Sequence, residues 1–215
     1  MDAHSQALGG AARSSANEWL GRRLPWLKAA LFLVCLLPLA RAAWLLAAGE
    51  PTNPIEFITR STGTWTLVML LATLAVSPLR RATGWGQLLR LRRLLGLFAF
   101  FYASLHFTTY FWLDQFFDWA AIARDIVKRP FVTLGFAAFC LMLPLALTST
   151  DAAMRRLKRR WGQLHALVYP LAVLAVLHYA WLVKKDLSQP LAYGAVLFVL
   201  LAERALRRWL ASRRA

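Results

Sequence analysis

The sequence predicts an all-α, polytopic membrane protein, a bundle of six transmembrane helices with both termini in the cytoplasm. Three observations lead to this fold class: the composition, the spacing of charged residues and the alternation of basic segments along the chain. Of the 215 residues, 59% are hydrophobic and 10 are tryptophan, and the mean hydropathy is +0.48. A soluble domain of this length could not bury so much apolar surface, so we expect the chain to lie in the lipid bilayer.

The net charge of +16 does not indicate a nucleic-acid partner. Lysine and arginine residues collect at the ends of apolar runs instead of along one polar face. That distribution is typical of segments at the two edges of a membrane.

Six stretches between charged residues approach the roughly 20 residues that a helix needs to cross the hydrocarbon. The second and the sixth stretches are the shortest, so we expect their helices to begin or end in the interfacial region, where Trp and Tyr are favoured. The stretches are bounded by Lys28 and Glu50 (with Arg41 inside), Arg60 and Arg80, Arg93 and Asp114, Arg129 and Asp151, Arg160 and Lys184, and Asp186 and Glu203.

Residues 1–21 are predicted to form a flexible cytoplasmic leader, because they are rich in Ala, Gly and Ser, and residues 22–215 to form the transmembrane domain. The first stretch also has some features of a cleaved signal peptide, with a basic approach and small residues at Ala40 and Ala42. Pro38 and the apolar run that continues to Ala48 favour a retained span instead.

The basic residues predict the orientation. Segments 1–28, 80–93, 155–160 and 204–215 hold most of the 26 lysines and arginines and alternate with poorer loops that carry more than half of the acidic residues. By the positive-inside rule the four basic segments face the cytoplasm. The longest loop, about residues 114–129, is too short for a domain of its own, and no glycine-rich nucleotide-binding motif is present, so soluble chemistry must come from partner proteins.

Three of the four histidines, His106, His165 and His178, lie inside apolar stretches, where an ionisable side chain is costly without a partner. At about 1.5 Å per residue, His106 lies about 18 Å and His178 about 25 Å past the inner ends of the third and fifth spans, whereas His165 lies only about 6 Å in. Two parallel helices thus bring one histidine each into the outer half of the membrane, a geometry that can sandwich a haem. Without a C-x-x-C-H motif, such a haem would be b-type.

Each histidine could instead be a hydrogen-bonding group between helices or part of a proton relay, and for His165 this structural role competes closely with ligation. His165 and His178 are 13 residues apart, which turns them about 140° from each other on an ideal helix. Pro170, between them, removes the bond to the Ala166 carbonyl and can kink the helix.

Five strings of this sequence closely resemble the MsrQ (YedZ) family, and the histidines stand in matching local sequence over roughly residues 22 to 210. MsrQ proteins are haem-binding membrane subunits of bacterial methionine sulfoxide reductase systems, with a transmembrane domain like that of ferric reductases. The strings are Gly63-Thr64 through SPLR at 77–80, RRLLGLFAFFYASLHFTTY at 92–110, KRPFVTLG at 128–135, LALTST at 145–150 and KRRWGQLHALVYPLAVLAVLHYAW at 158–181.

The resemblance implies a non-catalytic electron-transfer subunit of the bacterial inner membrane that binds haem b and FMN. Its electrons would come from the quinone pool or a cytosolic flavin reductase and pass to MsrP, a periplasmic molybdopterin enzyme that reduces methionine sulfoxide in oxidised proteins. His106 and His178 become ligands of an outer haem, and His165 a haem-associated histidine on the inner side. Arg92 and Arg93 would bind haem propionates or the FMN phosphate, although the positive-inside rule alone also accounts for them.

The inner side departs from the pattern of full oxidases, which carry two histidines on each of two helices. Here Arg92 and Arg93 stand 14 and 13 residues before His106, so an inner haem at His165 has no obvious second ligand. That haem would be five-coordinate, ligated otherwise, or replaced by flavin.

Two other function classes stay open. A self-contained ferric reductase, metalloreductase or oxidase is disfavoured by the missing NADPH- and FAD-binding domain. A transporter that uses the histidines as a proton relay would be colourless, so a visible spectrum separates it from a haem protein.

Overall fold

The structure is a computed structural model that describes residues 2–183 and 186–213, with side chains from residue 21 onward. Over those residues the prediction of six membrane-spanning helices is confirmed, and the chain is a multi-pass membrane protein. The spanning segments are Gly21–Ala47, Pro54–Thr83, Gly86–Asp114, Pro130–Leu147, Arg159–Leu182 and Ser188–Ser212. The cytoplasmic placement of both termini stays a prediction.

The first span belongs to helix α1 (Asp2–Ala47), which packs one face into the bundle. Cys35 on that face is 1% exposed, and its carbonyl accepts a hydrogen bond of 2.7 Å from the Tyr102 hydroxyl. The side chains of residues 2–20 are outside the described set, so the flexible leader over residues 1–21 stays a prediction. Cys140, the other cysteine, lies on an exposed face.

The second span, α2 (Pro54–Thr83), is longer than its charge-free stretch because both of its ends are capped beyond the charges. The Asn53 side chain accepts from the Glu56 amide at the start, and Gly84 at the end adopts φ 74°, a left-handed conformation that favours glycine. The result is 30 residues of helix where the sequence predicted one of the two shortest stretches. Arginine side chains allow this, since their apolar stems can extend toward water from within the membrane edge.

The third span consists of a 3₁₀ turn (Gly86–Leu88), helix α3 (Leu89–Thr108) and a π-helical turn (Thr109–Asp114). The loop predicted after it contains a ten-residue helix, α4 (Trp119–Lys128), which begins where the Asp118 side chain accepts from the Ala121 amide. Ile122 on its inner face is buried, while Trp119 is 68% exposed. The fourth span is α5 (Pro130–Leu147), which begins with proline at its first position.

The fifth span is broken just before Pro170, the residue that by its sequence position can kink the helix. A short helix α6 (Asp151–Leu157) precedes α7 (Arg159–His165), and the chain turns at Ala166 and Leu167 before α8 (Val168–Leu182) begins. The Ala166 carbonyl, which Pro170 cannot bond, accepts from the Tyr169 amide at 3.1 Å instead. Lys184, the predicted outer boundary of this span, lies outside the described residues.

The sixth span, α9 (Ser188–Ser212), is also longer than its charge-free stretch, at 25 residues. Glu203 pairs with Arg207 one turn later, as the sequence predicted, and in addition with Arg81 of α2 at 2.5 Å. This second pair ties the inner ends of α2 and α9 together. The centre of the bundle is apolar and includes Tyr102, Leu171 and Ala172, each at most 1% exposed.

Candidate functional site

The structure brings two of the three intramembrane histidines together. His106 extends from the last turn of α3 and His178 from α8, and their ring centroids lie 6.1 Å apart with the ring planes at 72°. The depth argument from sequence placed these two side chains at a similar level of the membrane, and their proximity agrees with it.

Each ring is held by a backbone carbonyl of a neighbouring helix. His106 Nδ1 lies 2.9 Å from the Thr59 carbonyl oxygen of α2, and His178 Nδ1 lies 2.6 Å from the Phe131 carbonyl oxygen of α5. Because a carbonyl oxygen only accepts, both Nδ1 atoms must carry the proton and donate it. In a neutral imidazole this leaves the Nε2 lone pair as the available ligand. Among the described residues, neither Nε2 has a hydrogen-bond partner.

A glycine one helical turn after each carbonyl makes room for the ring. An added methyl group at Gly63 would lie 3.0 Å from His106 Cε1, and one at Gly135 would lie 2.8 Å from His178 Cε1. Both distances are shorter than ordinary van der Waals contact. Gly63 and Gly135 are therefore the points at which helices α2 and α5 approach the two imidazoles most closely.

The two half-sites repeat the same arrangement along the chain. In each, a carbonyl is followed four residues later by the glycine, and the histidine follows the carbonyl at a separation of 47 residues. One half-site is built by α2 and α3 and the other by α5 and α8. Arg93 and His165 occupy corresponding places, each 13 residues before the paired histidine.

The paired imidazoles fit a haem iron better than a bare metal ion. Two metal–nitrogen bonds of about 2 Å on opposite sides of one ion would place the ring centroids about 6 Å apart, close to the 6.1 Å found. A bare ion needs more protein ligands, and no group of three or more His, Cys, Asp or Glu side chains that could hold one occurs among the described residues. A porphyrin would supply the other four ligands itself.

His165 lies apart from this pair, at the end of α7. Its Nε2 is 3.0 Å from the Thr148 hydroxyl, and its ring stacks on Trp161 with the centroids 4.0 Å apart. The Trp161 indole N–H donates to the Thr148 carbonyl at 3.0 Å. The nitrogen that is available in His106 and His178 is thus engaged in His165.

The two arginines predicted to bind an anion lie near His165. Both guanidinium groups are close enough to act electrostatically on its ring. Arg93 also pairs with Asp151 at 2.6 Å, and this guanidinium holds the pKa of the exposed Asp151 carboxyl below its ordinary value. Arg92 is partly buried and has no ion pair among the described residues.

Sequence reasoning missed the groups that orient the histidines. A backbone carbonyl has no signature in the sequence, so Thr59 and Phe131 could not have been selected by residue type. Gly63 and Gly135 lie within the strings that carry the family resemblance, but nothing in the sequence indicated a role for them. Their equal separation from the two histidines is a signal that could have identified them.

Comparison with known proteins gives consistent results. Residues 61–176 match the family described as ferric reductase like transmembrane component. The chain is 51% identical to a protein of Herminiimonas arsenicoxydans, with 87% of this chain and 88% of the relative covered. It is 53% identical to one of Bordetella pertussis (87% and 93% covered) and 56% identical to one of Azospira oryzae (87% and 82% covered). All three are named protein-methionine-sulfoxide reductase heme-binding subunit MsrQ. No solved structure matches the chain.

Proposed function

Because the chain belongs to the ferric reductase like transmembrane components and, among them, to the MsrQ haem-binding subunits of methionine sulfoxide reductase, we propose that it carries electrons across the bacterial inner membrane through a haem b between His106 and His178. The observation that supports this most is the pair of imidazoles 6.1 Å apart, each with Nδ1 engaged. When bound, the haem supplies one-electron transfer.

The residues of the chain hold and orient the ligands. Thr59 and Phe131 accept the Nδ1 protons through their carbonyls, which keeps each ring in the tautomer that ligates through Nε2 and makes that nitrogen more basic. The two imidazoles come from helices that cross the same layer of the bilayer.

On the inner side we assign the second cofactor contact to His165, Arg92 and Arg93. The two guanidinium groups would bind the propionates of a haem or the phosphate of FMN, and the stacked rings of Trp161 and His165 present a flat surface beside them. Asp151 competes for Arg93, so an incoming anion must displace it.

The proposed partner on the outer side is MsrP, the periplasmic molybdopterin reductase, and the donor on the inner side is the quinone pool or a cytosolic flavin reductase. The names of the relatives support a partner reductase, since each is called a subunit. Among the described residues, no segment outside the spans is large enough to enclose a protein substrate.

Spectra of the purified protein and of three alanine variants test the ligand pair. We expect Soret and alpha bands in the parent protein, and loss of the same low-spin haem signal in both His106→Ala and His178→Ala, because either change removes one of two axial nitrogens. His165→Ala is the matched control and should keep that signal. A colourless parent protein would support a histidine relay, and a low-spin signal that survives His106→Ala but not His165→Ala would show that the pairing is wrong.

The family match also leaves a self-contained ferric reductase as a second candidate. Reduced membranes that contain the protein separate the two functions. We expect rapid reoxidation only when MsrP and methionine sulfoxide are added together. Rapid reoxidation by ferric chelates or oxygen alone, with no response to MsrP, would support the ferric reductase or oxidase function.

A further inference from the structure

We propose that Gly63 and Gly135 are positioning residues, which set the orientation of the two imidazoles and through it the electronic properties of the haem. The proposal rests on the ligand pair of the proposed function. It assigns the same role to equivalent residues in the two half-sites, one on α2 and one on α5.

The contact distances single out these two glycines. A methyl group at Gly63 would meet His106 Cε1 at 3.0 Å and Nδ1 at 3.1 Å, and one at Gly135 would meet both atoms of His178 at 2.8 Å. By contrast, a methyl at Gly96 would lie 3.7 Å from the Thr73 side chain, and one at Gly194 would lie 3.6 Å from Val176. The latter two are ordinary contacts. A methyl group at Gly21 would also be close to a neighbour, at 3.3 Å from Gln87 Nε2, but that atom is the far end of a flexible side chain. Among the described glycines, only Gly63 and Gly135 are crowded by a histidine ring.

Neither imidazole can move away from an added methyl group without a change in its orientation or in its hydrogen bond. Each imidazole is fixed at one end by its Cβ and at Nδ1 by a carbonyl on the same helix as the glycine. A methyl group would turn the ring about its Cβ–Cγ bond or lengthen the Nδ1–carbonyl hydrogen bond. Either change alters the direction of the Nε2 lone pair or the basicity of the ligand, which tune a haem.

Backbone conformation gives no other reason for glycine at these places. Both residues lie inside helices, and neither has a positive φ. Glycine within a helix is less favourable than alanine, since it loses more conformational freedom on folding. Replacement by alanine should therefore strengthen the helices themselves, and damage must come from the contact with the ring.

Four alanine variants of the full-length, haem-loaded protein test the proposal. Gly63→Ala and Gly135→Ala should shift the highest g value of the low-spin ferric haem in electron paramagnetic resonance spectra and its midpoint potential. The shift should be larger for Gly135→Ala, where the methyl comes closer. Gly96→Ala and Gly194→Ala are matched controls, also in membrane-spanning helices, and should keep the parent values. Parent values in both test variants, or equal shifts in the controls, would overturn the proposal.

If Gly135→Ala does not accumulate, the double variant that combines Gly135→Ala with His178→Ala still tests the proposal. Because His178→Ala removes the ring, the methyl group at residue 135 has room. The double variant should therefore accumulate to the level of His178→Ala alone. A further loss would show that Gly135 acts through general packing and overturn its assigned role. If the histidine variants keep the low-spin signal, the proposed function fails; if they lose it while the glycine variants keep parent values, only this inference fails.

Discussion

The three intramembrane histidines are of two kinds, which differ in the ring nitrogen that takes part in a hydrogen bond. His106 and His178 donate from Nδ1 and keep Nε2 available, whereas Nε2 of His165 faces the Thr148 hydroxyl at 3.0 Å. That hydroxyl also lies 2.6 Å from the Pro144 carbonyl, to which it donates, so His165 must be the donor toward Thr148. For His165 to ligate a metal through Nε2, it would first have to give up this hydrogen bond.

Thr148→Val is expected to remove the His165 contact while it preserves the shape of the side chain. We expect a loss of about 1 kcal/mol in stability, the typical net value of one hydrogen bond, with an unchanged low-spin haem signal. Thr66→Val is the control, because among the described residues its hydroxyl bonds only to a carbonyl of its own helix, that of Thr62. Thermal unfolding in detergent measures both. Equal destabilisation by the two changes would contradict a specific role for the Thr148 hydroxyl.

The Arg93–Asp151 pair predicts a pH dependence. Since Arg93 lowers the pKa of Asp151 in the folded protein, the contribution of the pair is present above the ordinary pKa of the carboxyl and is lost as pH falls through the lowered value. The difference in melting temperature between the parent and Asp151→Asn should be constant near neutral pH, begin to shrink as pH falls to about 4, and vanish only below the lowered pKa of Asp151. A difference that grows as the pH falls would have the wrong sign and would exclude this pair as its cause.

At the scale of helices, the sequence predicted the number of spans better than the residues at which each helix begins and ends. Charges are costly in hydrocarbon, so the gaps between them located all six spans, and the fixed φ of Pro170 located the break between α7 and α8. The ends of α2 depended on caps at Asn53 and Gly84, which lie beyond the charges. Likewise, rise per residue placed His106 and His178 at one level, but the carbonyls that orient them are set by packing between helices and leave no mark on residue type.

Helix α1 is predicted to stay part of the mature protein. Cleavage near Ala42 would remove the buried Cys35 and leave the Tyr102 hydroxyl without its partner in the core. The intact mass of the purified protein should therefore include the first span. A mass that matches a chain beginning near residue 43 would instead support the signal peptide.

The same contact predicts the effect of a point change. Tyr102→Phe should destabilise the bundle by about 1 kcal/mol, because it deletes the buried hydrogen bond between α3 and α1. Tyr110→Phe is a suitable control, since its hydroxyl makes a longer contact, 3.4 Å, with Asp125. Denaturant titration of both variants measures the difference, and an effect of Tyr102→Phe no larger than that of the control would contradict this contact as a link between α1 and α3.

At the scale of the whole molecule, the orientation can be tested with reporter fusions. Fusions after Glu50, Asp118 and Asp186 should report the periplasm, and those after Arg81, Arg156 and Arg213 the cytoplasm, because basic loops stay inside. The fusions after Arg81 and Arg156 are the most informative, because the location of these loops determines which side of the membrane the histidine pair lies nearer to. A periplasmic signal after Arg156 would invert the placement of the candidate haem.

The equal construction of the two half-sites bears on the order of events during biosynthesis. The α2–α3 hairpin presents only one imidazole, and the second arrives with α8, after all but one of the spans have been made. A nascent chain released before α8 would hold half of a ligand set and bind the cofactor poorly. The haem is thus expected to bind late, after the second hairpin packs against the first. Once bound, it would link the two half-sites and stabilise only fully assembled molecules.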